Sequence, residues 1–547
     1  MLHLENIIER FLHFEKNTPN NLFLSEPVNG TYQTFTWLEA GNEIKRMVTA
    51  LHKMGFDKGD KISILGKNSA HWILADLAIM MAGFVSVPLY ANNTAEAIHH
   101  VIEHSESKLV FIGKLDDYNE TKKGIPNHVL KVSFPFYPKE DCLQWSDLIN
   151  DNLPAENIQI PKDEDLSCIL YTSGTTGNPK GAMHNYYAHS FTMHTVLKEI
   201  TGISEDIFFS YLPLCHVAEK MLVEGGAIYT GSSIYFVESM DTFSKNIMDT
   251  QPTIFLAVPR IWEKFQEEIL KKLPQKKLNI LLKIPVISSL IKKTLKKKLG
   301  LSRAKYIFTG ASPINPDLQY WYLRLGILIQ EAYGMTENLA LSHLNRKNNA
   351  VFGSVGQSYK GVEVRLGAED EVQVKSPASM IGYYKDPKLT ASCFEDGFLK
   401  TGDKGVINKE GFLTIVGRIK DQFKTSKGKY ITPAAIESKI SAHPFISQVC
   451  VVGTGLSQPI ALCILSEIAK EELKEKVIST LQHFVKETNK QLEHFAQLAK
   501  VVVLNEDWSI DNGCLTPTLK IKRNNIEKQY QSQYNIWMQS TQPVLFS

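Results

Sequence analysis

The chain has 547 residues, 43% of them apolar and 22% charged. That is long enough for two to four domains and close to globular averages, which excludes a disordered, collagen-like or disulfide-scaffold protein. The 60 basic and 58 acidic side chains give a net +2, which is no nucleic-acid signature. That balance hides a local excess: ten lysines and no Asp, Glu or Arg lie between Lys271 and Lys298, leaving 50 basic against 58 acidic side chains elsewhere.

The opening segment MLHLENIIERF mixes acids into its apolar residues and lacks the apolar core of a signal peptide. Helical periodicity then runs over 38–54 and stops at Gly55. Strand patterns at 59–66, 84–90 and 108–113 alternate with helical patterns at 70–81 and 95–105. The apolar run 72–90 falls short of the about 20 residues needed to cross a bilayer. Asp76, Gly83 and Pro88 interrupt it, so it reads as a buried helix and a strand. Further strand patterns at 167–172, 233–236 and 253–259 continue the β-α-β alternation of doubly wound parallel sheets. Beyond about residue 350, short strands and glycine-rich turns predict a β-rich subdomain, and from about Asp421 the pattern is α+β. The seven cysteines are scattered, without a CxxC, which fits a reducing compartment and a cytoplasmic protein.

The strongest local signal is YTSGTTGNPKG (171–181), which follows a buried strand. Glycines let backbone N–H groups approach an oxyanion, four hydroxyls (Thr172, Ser173, Thr175, Thr176) add donors, and Lys180 adds a charge. That suits a polyphosphate. The loop is not a GxxxxGK[ST] phosphate loop, because Pro179 stands where that motif has glycine. In EAYGMTE (331–337), an aromatic can stack on a purine, and a carboxylate beside phosphates makes sense through a cation, which marks Glu337 as a Mg²⁺ ligand. Taken alone, TGASP (309–313) and the Asp403 turn read equally well as ordinary turns, His216 as a structural histidine and Lys520 as a surface lysine.

Eight motifs occur in one order: YTSGTTGNPKG, LPLCHVAE (212–219), VPRIWEK (258–264), TGASP, EAYGMTE, TGD (401–403), GRIKDQFKTSKGKYITPAAIE (417–437) and LTPTLKIKR (515–523). Together they resemble the adenylate-forming superfamily of acyl-CoA synthetases, luciferases and peptide-synthetase adenylation domains, from about Thr34 to Arg523. The pattern looks closest to the long-chain fatty acyl-CoA synthetases. The resemblance implies an α/β protein with a large N-terminal domain (1–417) of doubly wound sheets plus the β-rich subdomain. A hinge (418–420) and a small mobile α+β C-terminal lid (421–547) complete it.

The implied reaction joins a long-chain fatty acid to ATP as acyl-AMP, with Mg²⁺, and then to coenzyme A. The resemblance places Ser173, Gly174, Thr175, Thr176, Gly177 and Lys180 on the phosphates, with Thr172 near the metal. It sets adenine against Gly310, Ala311, Ser312 and Tyr333, counts Glu331, Ala332 and Gly334 with the nucleotide site, and puts Thr336 at the α-phosphate. Asp403 would hold the ribose and Arg418 the ribose or phosphate. Lys420 would be the hinge, Ser426 and Gly428 would line the CoA tunnel, His216 would stand beside the acyl pocket, and Lys520 would reach the α-phosphate. Many members carry glycine before that lysine, where this chain has Leu519.

Transfer to an acyl carrier protein is a second reading, and a non-catalytic nucleotide- or lipid-binding relative a third. The segment Lys271–Lys298 interleaves lysines with Leu, Ile and Val. It suits an anionic membrane surface, giving peripheral attachment, or an acidic carrier protein.

Overall fold

A computed structural model describes residues 4–172, 179–200, 206–510, 512–516 and 520–547. Two large sheets form the N-terminal body. The first has eight strands in the order 382–383, 180–185, 166–172, 85–89, 61–65, 107–112, 130–133, 143–144. Its centre is parallel, and Lys180–Asn185 folds back antiparallel on Leu166–Thr172. The second has nine strands around the parallel run 330–333, 306–309, 254–257, 207–210, 233–236 and 22–28. The alternation in the sequence thus becomes parallel sheets whose outer strands turn antiparallel.

The run 72–90 resolves into the helix Ala70–Met81 and the strand Val85–Leu89. The Ser69 hydroxyl caps the helix by accepting from the Trp72 amide, and all twelve helical residues are buried in a core that both sheets share. Such a helix is apolar on every face because it has no solvent side. Its one acid, Asp76, pairs with Lys220, which also reaches Glu224 at 3.2 Å. A buried charge is tolerable only with such a partner.

Residues 363–418 form the expected β-rich unit, a five-stranded antiparallel sheet in which Asp403 lies opposite Arg418. A short hairpin, Phe423–Lys424 with Tyr430–Ile431, follows it. The C-terminal sheet then takes strands 446–452, 460–465, 500–503 and 544–546 in that order. Helices Pro433–Ile440 and Lys474–Asn489 pack on one face, and Arg523–Tyr530 and Tyr534–Gln539 on the other. This unit touches the N-terminal body where Arg260 Nη2 donates to Ser447 Oγ (3.0 Å) and Asn315 Nδ2 to the Ser438 carbonyl (3.3 Å).

The lysine-rich segment folds as two helices, Gln275–Leu281 and Pro285–Lys298. Pro274 precedes the first, and Pro285 takes the first position of the second, where a missing N–H costs nothing. The sequence groups Leu290, Ile291, Leu295 and Leu299 together. The helix separates them, because adjacent residues point about 100° apart. Ile291, Leu295 and Leu299 pack inward, while Leu290 faces solvent. Among the described residues, no helix is long and apolar enough to cross a membrane.

Candidate active site

The phosphate-loop motif links two antiparallel strands, Leu166–Thr172 and Lys180–Asn185. Thr172 and Lys180 are cross-strand partners at its base, and Ser173, Gly174, Thr175, Thr176 and Gly177 lie outside the described residues. The hairpin's outer strand pairs with Gly382–Tyr383, which sets Tyr383 opposite Ala182 and brings the Lys180 ammonium to 6.0 Å from the Tyr383 ring. Tyr383 Oη in turn donates to Glu337 Oε1 at 2.6 Å. A sheet pairing therefore ties the hairpin to the EAYGMTE carboxylate.

EAYGMTE begins as the strand Gln330–Tyr333 and ends in a short turn of helix, Thr336–Asn338. Gly334 is required there: a Cβ would stand 2.4 Å from the Ala340 carbonyl carbon. His184 Nε2 donates to the Thr336 carbonyl at 2.9 Å, and burial lowers this imidazole to about 4, so it is neutral. The neighbouring strand delivers TGASP, with Thr309 in register with Glu331. Ala311 adopts the left-handed conformation (φ 68°), uncommon for a residue with a Cβ, and it exposes the turn's backbone. The Glu331 side chain points beneath this turn and accepts from the Ile314 amide at 3.4 Å. Burial pushes its carboxyl up to about 8. Glu331 therefore braces the turn with its side chain.

Asp403 joins these elements. Its Oδ2 accepts from Tyr333 Oη at 2.6 Å, and its Oδ1 forms an ion pair with Arg418, 2.8 Å from Nε. Burial raises its carboxyl, and Arg418 and Tyr333 oppose that rise. Lys520 belongs to the C-terminal unit, where the Thr516 N–H donates to the Lys520 carbonyl (2.8 Å) and the Lys520 N–H to Thr516 Oγ1 (3.0 Å). Its side chain keeps solvent-open surface yet is crowded by protein on its flanks. Desolvation and the Arg418 cation lower its pKa, while Asp403 and Glu337 act the other way. Two cations and two carboxylates thus lie within electrostatic reach of one another.

His216 faces the same lysine. It caps the short helix Val217–Glu219, its Nδ1 accepting from the Ala218 amide at 3.3 Å, so Nε2 carries the proton. Burial, then Lys520, lowers it to about 3, and a ring held neutral in this way is a poor base. The loop that leads to it is fixed by Asn68, which accepts from the Leu214 amide (3.1 Å), and by Glu219, which accepts from Ser210 Oγ (2.9 Å) and the Tyr211 amide (3.0 Å).

Other expected residues lie apart from the cleft. Lys420 is exposed in the turn after Arg418. Ser426 and Gly428 sit in the exposed turn of the 423–431 hairpin, with Gly428 left-handed (φ 79°) and the Lys424 Cε 3.8 Å from where a Cβ would stand. Tyr383, His184, Asn68 and Glu219 were not expected from the sequence. The nearest signal was the aromatic pair in IGYYKDP (381–387) and the acid closing LPLCHVAE.

For a cation, Glu337 and Thr172 offer a carboxylate and a hydroxyl, hard oxygen donors of the kind Mg²⁺ takes. Among the described residues no group of three or more His, Cys, Asp or Glu could cage a metal alone. The donor set therefore fits a cation that shares its coordination with phosphate oxygens.

A family model described as AMP-binding enzyme matches residues 11–384, and one described as AMP-binding enzyme C-terminal domain matches 420–537. Among curated proteins, the chain is similar to a long-chain-fatty-acid–CoA ligase of Mycobacterium tuberculosis (26% identical, covering 96% of each chain). It is also similar to fatty acyl-CoA synthetase A of Dictyostelium discoideum (28%, 93% of this chain and 86% of the relative). Among solved structures, it resembles the adenylation domain of a carboxylate reductase from Mycobacterium chelonae (TM-score 0.82, 20% identical, 97% and 91% covered). Another is the o-succinylbenzoate CoA synthetase of Bacillus subtilis in complex with its acyl-adenylate intermediate (TM-score 0.75, 22%, 95% and 97%). At these identities the solved structures share the fold.

Proposed function

The chain belongs to the AMP-binding enzyme family, and on that premise we propose that it is an ATP-dependent long-chain fatty acid–CoA ligase. The observation that carries this reading is that the C-terminal cation Lys520 interacts electrostatically with the Asp403–Arg418 ion pair, with Glu337, which Tyr383 holds, and with His216. Like charges so placed repel one another, and an anion between them relieves that repulsion. A phosphate is such an anion. The curated relatives, named as fatty-acid–CoA ligases and matched over nearly the whole chain, supply the substrate class.

In the first half-reaction a carboxylate oxygen of the fatty acid attacks the α-phosphorus of ATP. The bond to the bridging oxygen breaks, and pyrophosphate leaves. Lys520 offsets the charge that opposes two anions meeting and stabilises the crowded phosphorus. The Thr172–Lys180 hairpin receives the β- and γ-phosphates. Glu337 and Thr172 would hold Mg²⁺, which would offset charge on the phosphate oxygens. Tyr333 and the TGASP backbone take the adenine, and Asp403, braced by Tyr333 and Arg418, accepts from the ribose hydroxyls. No general base is needed, because a fatty carboxylate is ionised at neutral pH. His216 positions, offering its Nε2–H.

In the second half-reaction the CoA thiol gives up its proton to solvent, its sulfur attacks the acyl carbonyl carbon, and the carbon–oxygen bond to AMP breaks so that AMP leaves. Lys520 and the Gly428 turn cannot serve both steps in one arrangement, since one is at the cleft and the other on the surface. The unit beyond residue 420 rotates about Lys420 between steps. Purified protein supplied with ATP, Mg²⁺, CoA and fatty acids from C6 to C18 tests the reading, with AMP and acyl-CoA formed in equal amounts as the expected result. Acyl transfer to a carrier protein in preference to CoA would redirect it, and failure to form acyl-AMP at any chain length would refute it.

A further inference from the structure

We infer that the helical hairpin Gln275–Lys298 docks the protein on an anionic bilayer surface, its tip entering the headgroup region. This goes beyond the catalytic reading and does not depend on it.

The hairpin is firmly seated. Leu278, Leu282, Ile291, Leu295 and Leu299 belong to the core built around Trp262 and Tyr322. Trp321 Nε1 donates to Gln275 Oε1 (2.8 Å), Arg324 Nη2 to Asn279 Oδ1 (2.6 Å) and Gln251 Nε2 to the Lys297 carbonyl (2.9 Å). With its inner face satisfied, the hairpin still turns four large apolar side chains outward at the helix junction: Ile280 (63% exposed), Ile284 (44%), Val286 (72%) and Leu290 (61%). Single exposed apolar residues are ordinary, whereas four within eleven positions of sequence need a reason.

The charges around them have one sign. Lys276, Lys277 and Lys283 precede Ile284 and Val286 in the chain, and Lys293, Lys297 and Lys298 follow Leu290 along the second helix, all exposed. Of the ten lysines from 271 to 298, Lys271 alone has a carboxylate partner among the described ion pairs (Glu268, 3.2 Å). Exposed apolar side chains carried on the same two helices as exposed lysines match a layer whose surface is anionic and whose interior is apolar, with the lysine stems reaching back to the headgroups. An acidic carrier protein would satisfy the lysines but gives no role to four projecting aliphatic groups. The second helix has 14 residues, too few to cross. The hairpin therefore lies on the surface.

The test is flotation of the full-length protein with phosphatidylcholine vesicles lacking or containing phosphatidylglycerol, a measurement that needs no turnover. The expected result is binding about tenfold or more tighter to the anionic vesicles, weakening as salt rises. Val286→Asp with Leu290→Asp should weaken it about tenfold or more, and so should Lys276→Glu with Lys283→Glu and Lys293→Glu. Circular dichroism and acyl-CoA formation from a soluble short-chain acid should stay unchanged in both variants. Absence of vesicle binding would overturn the inference, as would equal and salt-insensitive binding to neutral vesicles. So would unchanged vesicle binding in both variants, including the case where they lose affinity for an acyl carrier protein instead.

Discussion

Tyr333 Oη donates to Asp403 Oδ2 at 2.6 Å, joining two motifs 70 residues apart in the chain. The bond runs from the end of a parallel strand in the second sheet to the antiparallel sheet of the β-rich unit, so it sets where these two parts meet. Arg418 Nε holds the other oxygen of the same carboxylate at 2.8 Å. Asp403 is thus fixed from both sides before any ligand arrives.

Tyr333→Phe keeps the ring and removes the donor. A hydrogen bond to a charged group contributes roughly 1.5–3 kcal/mol. The KM for ATP should rise about tenfold while kcat falls less than about threefold. Steady-state kinetics at saturating fatty acid reads this, and an unchanged KM would show that Asp403 holds its place without Tyr333.

Tyr383→Phe frees Glu337 Oε1 and leaves the ring near Lys180 in place. Groups that orient a metal-binding carboxylate typically affect metal affinity about 10–100-fold. Half-maximal activity should need about tenfold more Mg²⁺, with the maximal rate restored at high Mg²⁺. A lower maximal rate that Mg²⁺ cannot restore would place Tyr383 in the chemistry instead.

Burial lifts the Glu331 carboxyl from its ordinary 4.5 to about 8. The folded state therefore keeps this proton longer than the unfolded chain does. Its contribution to stability is complete below pH 4.5 and is lost as pH rises through 8. Glu331→Gln, which cannot ionise, should match the parent below pH 4.5 and exceed it above pH 8, by on the order of 5 kcal/mol. Thermal melts across that range measure it. A variant less stable at every pH would mean that Glu331 is charged in the fold.

Burial and Lys520 hold His216 near 3, so it does not change charge across the physiological range. The pH profile of kcat/KM should show no step near 6.5 that disappears in His216→Gln. A step that the substitution does abolish would give His216 a proton-transfer role.

These predictions draw on two kinds of residue, and the sequence disclosed only one. Lys180, Tyr333, Glu337, Asp403 and Lys520 lie in short motifs of unusual composition, each visible in a few consecutive residues. The helix Ala70–Met81 was equally legible, because a continuous apolar run bounded by Ser69 and Gly83 leaves little choice. Tyr383 and His184 were hidden. Tyr383 reaches Glu337 only because the two-residue strand Gly382–Tyr383 pairs with Lys180–Asn185, a contact across about 200 residues that leaves no local pattern. His184 is one side chain in a strand, and its bond to the Thr336 carbonyl exists only once hairpin and turn are packed together. Leu290 shows the converse: helical spacing alone put it with Ile291, and only the packing decided which of the two faces inward.

The central claim is that Lys520 acts in adenylate formation and then withdraws. ATP–pyrophosphate exchange in Lys520→Ala, set beside thioester formation from supplied acyl-AMP, tests it most directly. Exchange should fall about 100-fold or more, while acyl-CoA formation from acyl-AMP stays within about threefold of the parent. Normal exchange in the variant, or an equal loss in both half-reactions, would contradict the account.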